Sequence, residues 1–205
     1  MDEYWNHNTA YHRWVVSLAA AHHGDVLDVG CGDGLLAQRL APVSRSVVGL
    51  EPDSAAARRA RTRLAGVPGV SVVESGFADY PSGPVDLIVF VASLHHLDLR
   101  SSLARARGLL RPGGELAVVG LSANTTVRDW LWSGMCLPAV LLGSRLHRER
   151  RDIGVVVAEP REGLDEIRRT AEDVLPGVWI RRALYYRYLM RWRKPEADRL
   201  VGGSN

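Results

Sequence analysis

Three closely spaced glycines are the feature of the sequence that most needs a chemical explanation. They lie in residues 26–34, VLDVGCGDG, where Gly30, Gly32 and Gly34 follow an apolar run that Asp28 interrupts. Glycine weakens both strands and helices, but it adopts positive φ readily and lets a ligand come close to the backbone. We therefore expect positive φ at Gly30 and Gly32, and a ligand that lies over this loop.

A carboxylate follows the glycines at an informative distance. Glu51 ends the next apolar run about twenty residues after the loop, where an acid in an α/β sheet can bind two ribose hydroxyls. The loop also opens onto a predicted helix, whose free N–H groups favour anions. A tight turn followed by an unrelated surface acid is the alternative, and it leaves the spacing unexplained. The pattern therefore predicts a cofactor that contains a nucleoside.

The order of the glycines separates this loop from two other nucleotide-binding loops. A dinucleotide fingerprint has the pattern G-x-G-x-x-G, and counted from Gly30 its third glycine would fall on Leu35. A P-loop ends in Gly-Lys-Ser/Thr, and this loop has no lysine. The loop is therefore suited to neither a pyrophosphate nor a triphosphate.

Alternation of short apolar runs with helical segments places the loop at the end of a buried strand. The apolar runs are continuous, as in strands that are covered on both faces. Strands that alternate with helices indicate βαβ units, right-handed crossovers and a parallel sheet, which binds ligands beyond the carboxyl ends of its strands. Strands are predicted at 25–29, 46–50, 70–75, 85–92 and 115–121, and helices at 34–41, 53–66 and 99–110.

The two ends of the chain follow other patterns. Residues 8–24 predict an amphipathic helix before the first strand, and residues 164–177 predict a late helix. Between 178 and 195 apolar residues recur at every second position, which favours an antiparallel pair at the edge of the sheet.

Composition limits the classes of function. The 205 residues suffice for one α/β domain, and 46% hydrophobic with 24% charged residues is ordinary for a globular protein. Cys31 and Cys136 give neither a disulfide framework nor zinc spacing, and no secretory signal follows Met1, so we expect a cytoplasmic protein. The basic pI near 9.1 comes from dispersed arginines, so no nucleic-acid partner is expected.

Four motifs in this order resemble those of the class I S-adenosylmethionine-dependent methyltransferases: VLDVGCGDG, VVGLEP, VDLIVFVASLHHL and LLRPGGELAVV. The resemblance covers residues 25–121, with plausible matches at both ends. It implies a doubly wound α/β fold with seven mostly parallel strands, an antiparallel last strand and helices on both faces. It also implies S-adenosylmethionine as cofactor, with S-adenosylhomocysteine as product, and transfer of a methyl group by in-line displacement to an O, N, S or C nucleophile of a small-molecule acceptor.

The resemblance organises the chain as a single methyltransferase domain, residues 1–205. Its parts are an N-terminal helix and lid (1–24), a cofactor-binding core (25–121), an insertion that selects the substrate (122–160) and a C-terminal helix with edge strands (161–205). The apolar run 129–143 is too short for a membrane span and contains Pro138. It could wall an apolar acceptor pocket, which we favour, touch a membrane, form a dimer face or simply form a pair of core helices. Both monomer and homodimer therefore stay open.

Carried over by position, the resemblance assigns cofactor contacts around the glycine loop. Asp28 would lie near the amino group of the cofactor. Glu51 would hold the ribose hydroxyls, with Pro52 beside the adenine. The loop itself would pass under the methionine and ribose through Gly30, Cys31, Gly32 and Gly34, and the floor would be lined by Val91 and Ala92.

One position departs from the family pattern. After the third strand the family commonly has Gly-Asp-Ala, but the stretch SGFADYP has Gly76 where the aspartate is expected. Phe77 would then offer its backbone and its ring to the adenine, and Asp79 is a substitute for the missing acid.

Candidate catalytic residues lie on either side of the core. His96 and then His95 follow the fourth strand, where a histidine could act as a base or anchor the acceptor, or could merely shape the turn. Tyr11 and His12 could face the site from a lid, together with Tyr4 and His7, unless Trp5 and Trp14 simply pack this segment on the sheet. No third ligand accompanies the histidines at metal-binding spacing, so no metal is expected.

Two other functions stay open on the sequence alone. A NAD(P)-type oxidoreductase would use the same kind of sheet, although Leu35 stands where its third glycine is required. A cofactor-binding module without transferase activity is compatible with Gly76 and with the lack of an obvious base.

Overall fold

A seven-stranded sheet forms the centre of the computed structural model, which describes residues 4–81, 83–146, 159–184 and 186–196. The strands are β1 (Asp25–Val29), β2 (Ser46–Leu50), β3 (Val70–Val73), β4 (Val85–Val91), β5 (Leu110–Leu121), β6 (Trp179–Arg182) and β7 (Arg187–Arg193). The helices are α1 (His12–His22), α2 (Leu35–Leu40), α3 (Ser54–Arg63), α4 (Leu99–Leu109), α5 (Val127–Leu146) and α6 (Leu164–Val174). No helix within these ranges is long and apolar enough to cross a membrane.

The strand order is β3-β2-β1-β4-β5-β7-β6. The first five strands are parallel, and β7 runs antiparallel to both of its neighbours, β5 and β6. The chain leaves the edge strand β3 and returns on the other side of β1 as β4, so the order reverses between β1 and β4. Ligands bind at such a switch point, beyond the carboxyl ends of the strands.

Apolar side chains cover the sheet on both faces. Leu27, Ile88 and Phe90 point into a core that α4 and α6 close. The alternate positions, such as Val26 and Leu87, point into a second core that is closed by α1, α2 and α3. Burial on both faces explains why the strands have continuous apolar runs in the sequence.

A local irregularity in β5 accounts for one clear difference from the predicted elements. β1 and β2 have the predicted bounds, whereas β5 begins at Leu110 because residues 111–114, which lie between the predicted helix 99–110 and the predicted strand 115–121, are an irregularity inside the strand. Val85 pairs with Leu110, but Leu87 pairs with Glu115. The period-two segment forms the predicted antiparallel edge pair, β6 and β7. The insertion 122–160 contains α5, and its residues 147–158 lie outside the described ranges.

Candidate active site

The loop after β1 turns through three glycines with left-handed backbone. Their φ values are +74° at Gly30, +57° at Gly32 and +82° at Gly34, which confirms the expectation for the first two. The N–H groups of Gly30 and Cys31 both donate to the carbonyl of Leu50, at 2.8 and 2.9 Å, so the end of β2 holds the loop in place.

The end of β4 holds the loop from the other side. A Cβ on Gly30 would lie 2.5 Å from the Cβ of Ser93, and the Ser93 hydroxyl donates to the carbonyl of Val29. Ala92, directly before it, has φ +53°, a strained value for a residue with a side chain. The predicted floor residues Val91 and Ala92 therefore stand beside the loop, and Ser93, which sequence reasoning missed, leaves no space for a side chain at position 30.

Glu51 lies buried at the start of the segment after β2, with its carboxylate against the loop. Its Oε2 accepts a hydrogen bond from the Gly32 N–H at 2.9 Å, and its Oε1 accepts one from the Asp53 N–H at 3.0 Å. A carboxylate has about four acceptor positions, so two more hydrogen bonds can be accepted from a ligand. This geometry brings together the glycine loop and the acid that the spacing predicted.

Asp28 is a buried carboxyl group at the base of the loop. It is 1% exposed, and within the described ranges its Oδ2 has no hydrogen-bond partner. Burial, and then the negative charge of Glu51, raise its pKa to about 7. A buried polar atom without a partner is costly, and a ligand ammonium group would satisfy it and stabilise the ionised form.

A second carboxylate, Asp33, connects the loop to two distant segments. Its Oδ2 accepts from Arg63 Nη2 at 2.8 Å, and its Oδ1 accepts from the Tyr4 hydroxyl at 3.1 Å. Burial and the charge of Asp33 raise the pKa of Tyr4, so the phenol stays protonated and donates. The partners lie about thirty residues away on either side, a separation at which helix or strand periodicity gives no signal.

The N-terminal segment crosses the carboxyl edge of the sheet. From Tyr4 on the glycine loop it reaches Asn8, whose Oδ1 accepts from the Arg187 guanidinium at 2.9 and 3.1 Å. Between them His7 Nε2 lies 3.1 Å from Ser144 Oγ on α5. The segment that was expected to form a lid therefore contacts α5, which lies in the insertion that was expected to select the substrate.

Tyr11 and His12 form hydrogen bonds with other residues of the fold. The Tyr11 hydroxyl accepts from the Leu184 N–H at 3.2 Å, and His12 Nδ1 accepts from Arg39 Nη1 at 3.1 Å. Burial, and then the Arg39 charge, lower the pKa of His12 to about 3. These contacts favour a packing role for both residues, since such a histidine is a weak base at neutral pH.

Comparison with known proteins identifies the family. A family model described as a methyltransferase domain matches residues 27–116. An uncharacterized methyltransferase of Mycobacterium tuberculosis is 37% identical over 198 residues, which cover 95% of this chain and 100% of that relative. The chain belongs to the class I S-adenosylmethionine-dependent methyltransferases.

Solved structures share the fold of this methyltransferase. The N-methyltransferase NodS of Bradyrhizobium japonicum in complex with S-adenosyl-L-homocysteine has a TM-score of 0.64 at 18% identity, over 92% of this chain and 87% of that chain. The plantazolicin methyltransferase BpumL in complex with S-adenosylhomocysteine has a TM-score of 0.64 at 11% identity, over 90% and 85% of the two chains. The predicted fold is confirmed, and S-adenosylmethionine is the cofactor, which sets the dinucleotide alternative aside.

The residues of this methyltransferase fit that cofactor at three points. The unpartnered oxygen of Asp28 suits the cofactor's amino group, the Glu51 carboxylate has capacity left for ribose hydroxyls, and the glycines keep the backbone open between them. All three lie at the carboxyl ends of β1 and β2, beside the switch point.

Of the residues expected beside the adenine, Phe77 has its ring in a different place from the one expected. The Phe77 ring is buried edge-on against Phe90, with ring centroids 5.3 Å apart, so it lies in the core and only its backbone is left for an adenine. A Cβ on Gly76 would lie 3.3 Å from Asp79 Oδ2. The Asp79 carboxylate therefore stands where a side chain at position 76 would extend, while Pro52 is exposed beside Glu51.

His95 and His96 form a short 3-10 turn, Leu94–His96, directly after β4. Their ring centroids are 4.2 Å apart, with His95 half-buried and His96 exposed. This position is at the carboxyl edge of the sheet, where folds of this kind bind their ligands.

Proposed function

We propose that this methyltransferase acts on a small, partly apolar acceptor and transfers the methyl group to an O, N, S or C nucleophile by in-line displacement. The observation that carries the proposal is the contact between the N-terminal segment and α5 above the carboxyl ends of the strands. Besides the His7–Ser144 contact, the Trp5 ring would lie 3.5 Å from a Cβ on Gly143. A covered site of this kind favours a small acceptor over a polymer.

We assign the cofactor contacts residue by residue. Asp28 accepts a hydrogen bond from the amino group, and Glu51 accepts from the ribose hydroxyls. Asp79 accepts from the adenine amine in place of the missing acid at Gly76, because its carboxylate already extends over that position. The remaining contacts are with Gly30, Cys31, Gly32 and Gly34 under the methionine and ribose, Pro52 and the Phe77 backbone beside the adenine, and Val91 and Ala92 at the floor.

The chemistry makes modest demands on the protein. S-adenosylmethionine, when bound, supplies a methyl group that is activated by a sulfonium ion. The transfer neutralises charge, so the protein contributes alignment and desolvation rather than strong charge stabilisation. The left-handed Ala92 and its hydrogen bond to the Val119 carbonyl at 2.8 Å keep the floor rigid.

A general base is needed only when the acceptor is a hydroxyl or a protonated amine. His96 and then His95 are the candidates, because they stand at the acceptor edge after β4 and because His12 is engaged by Arg39. In this role the imidazole takes the proton from the acceptor as the methyl group arrives.

The basic residues support a small acceptor over a nucleic acid. Arg63 is buried against Asp33, and Arg111 bridges Asp25 and Asp86 with its two terminal nitrogens at 3.0 and 2.7 Å. Arginines that are paired with carboxylates in this way contribute little to the basic stripe that a nucleic acid requires.

Turnover with defined acceptors tests the proposal. The enzyme is incubated with S-adenosylmethionine and a panel of apolar alcohols, phenols, amines and thiols, and released S-adenosylhomocysteine is measured. We expect acceptor-dependent release together with a product that is heavier by one methyl group. Turnover on RNA or protein, and on none of the small molecules, would contradict the acceptor class. Tight binding of the cofactor with no turnover on any acceptor would favour the binding-module alternative.

A further inference from the structure

The outward face of α5 concentrates exposed apolar side chains. Among the described residues ten large hydrophobic side chains are exposed, and eight of them belong to this helix. They are Val127, Trp130, Leu131, Met135, Leu137, Leu141, Leu142 and Leu146, which we call the α5 stripe. With 3.6 residues per turn, all eight positions fall within one half of the circumference of a helix about 30 Å long.

Contacts on the opposite side of α5 fix the outward direction of the stripe. Asp129 is buried and forms an ion pair with Arg182, and the Trp132 indole N–H donates to the Ala183 carbonyl at 3.1 Å. Near the other end, Ser144 contacts His7. Rotation of the helix to bury the stripe would break these contacts and leave the Asp129 carboxylate unpaired, which is strongly unfavourable.

Among the described residues, the exposed charged side chains of α5 itself have a single sign. Arg128 in the first turn and Arg145 in the last turn are exposed, whereas Asp129, the acidic residue of α5, points inward. A second copy of the chain is therefore a poor occupant, because an antiparallel pair of α5 helices would bring Arg128 near Arg145 with no exposed carboxylate of α5 between them. An apolar surface that carries negative charge is complementary to both features.

We propose that the α5 stripe docks on the surface of an anionic lipid bilayer. The apolar side chains lie at the boundary of headgroups and acyl chains, Trp130 takes the interfacial position typical of tryptophan, and Arg128 and Arg145 contact the phosphates. This inference does not depend on the methyl acceptor.

Flotation with lipid vesicles tests the docking. The full chain is mixed with vesicles of phosphatidylglycerol and phosphatidylcholine in equal parts, or of phosphatidylcholine alone. We expect flotation with the anionic vesicles that weakens as salt is added. The double variant Leu131→Asp, Leu142→Asp is expected to bind about tenfold more weakly or worse. Trp130→Ala is expected to reduce binding, and its matched control Trp179→Ala, at an exposed tryptophan of β6, is expected to bind as the unaltered chain does.

Retained affinity for S-adenosylhomocysteine shows that each variant is folded. The proposal is overturned if the unaltered chain does not float with anionic vesicles, or if the double variant floats equally well. It is also overturned if light scattering shows a dimer that the double variant loses while flotation stays absent, since a second copy would then cover the stripe. None of these results affects the assignment of the cofactor site.

Discussion

Arg63 and Asp33 form a buried ion pair beneath the glycine loop. Arg63 Nη2 donates to the Asp33 carboxylate at 2.8 Å, and Nε donates to the Asp33 main-chain carbonyl at 3.0 Å. One guanidinium therefore binds both the side chain and the main chain of Asp33. The two side chains are 3% and 10% exposed. Through this pair α3 supports the loop that we assign to the cofactor.

Arg63→Met is expected to destabilise the protein by about 3 kcal/mol or more, because it leaves the Asp33 carboxylate buried without its partner. The free energy of unfolding in urea measures the loss. Arg61→Met is the matched control on the same helix, since Arg61 pairs with Glu74 in an exposed position. Equal effects of the two substitutions would show that the buried pair has no special importance.

The affinity for S-adenosylhomocysteine should depend on pH through Asp28. Its pKa of about 7 means that the carboxyl is protonated below neutral pH, and only the ionised form attracts the ligand's ammonium group. We expect tighter binding at pH 8 than at pH 6, measured by calorimetry, and a flatter profile in Asp28→Asn. A profile that is the same in both proteins would remove Asp28 from the amino-group contact.

The carboxyl group of Asp28 also makes the stability of the apoprotein depend on pH. Its pKa in the folded apoprotein, about 7, lies above the ordinary value of 3.8. Between these values the folded chain retains a proton that the unfolded chain has lost, so stability falls as the pH rises through this window. In urea titrations of the apoprotein, Asp28→Asn is expected to show a smaller fall between pH 5 and pH 7.

Asp79→Ala is expected to weaken binding of S-adenosylhomocysteine about fivefold to tenfold, since a hydrogen bond to the adenine amine is lost. Its effect should disappear with an analogue that lacks the 6-amino group of adenine. Glu166→Ala removes an exposed acid of α6 and serves as the control. If the substitution at Asp79 weakens both ligands equally, its carboxylate does not read the adenine amine.

If His96 is the general base, its substitution is expected to lower turnover without changing the affinity for the cofactor product. If the acceptor is a hydroxyl, His96→Ala should lower kcat about a hundredfold and leave the affinity for S-adenosylhomocysteine unchanged. The variant His12→Gln should keep the pH profile of kcat, because His12 is buried against Arg39. A normal kcat in both His96→Ala and His95→Ala would leave these residues with a role in the turn only.

The sequence predicted the sheet well because its signals are local. The apolar runs at 25–29 and 46–50 form β1 and β2 with the predicted bounds, and the closely spaced glycines after β1 have the positive φ that glycine adopts readily. The sequence predicts that β5 begins at residue 115, after the irregularity, whereas the strand begins at Leu110. A Pro-Gly-Gly stretch is typical of a turn whether or not a strand continues on both sides of it.

Sequence patterns do not predict the contacts between distant residues that hold the site together. The Asp33–Arg63 pair joins residues that come together only when α3 packs against the loop. The Phe77 ring could have faced either the core or the adenine, and the neighbouring Phe90 in β4 decides this only in the folded protein.

Calorimetric titration with S-adenosylhomocysteine tests the central claim, that Glu51 and the glycine loop form the cofactor site. The titration compares the unaltered protein with Glu51→Ala and Glu51→Gln, and uses NADH as the control ligand. We expect binding of S-adenosylhomocysteine, no binding of NADH, and an affinity at least about tenfold lower in both folded variants, because a charged acceptor for the ribose is lost. Equal affinity in all three proteins, or no binding to the unaltered protein, would contradict it.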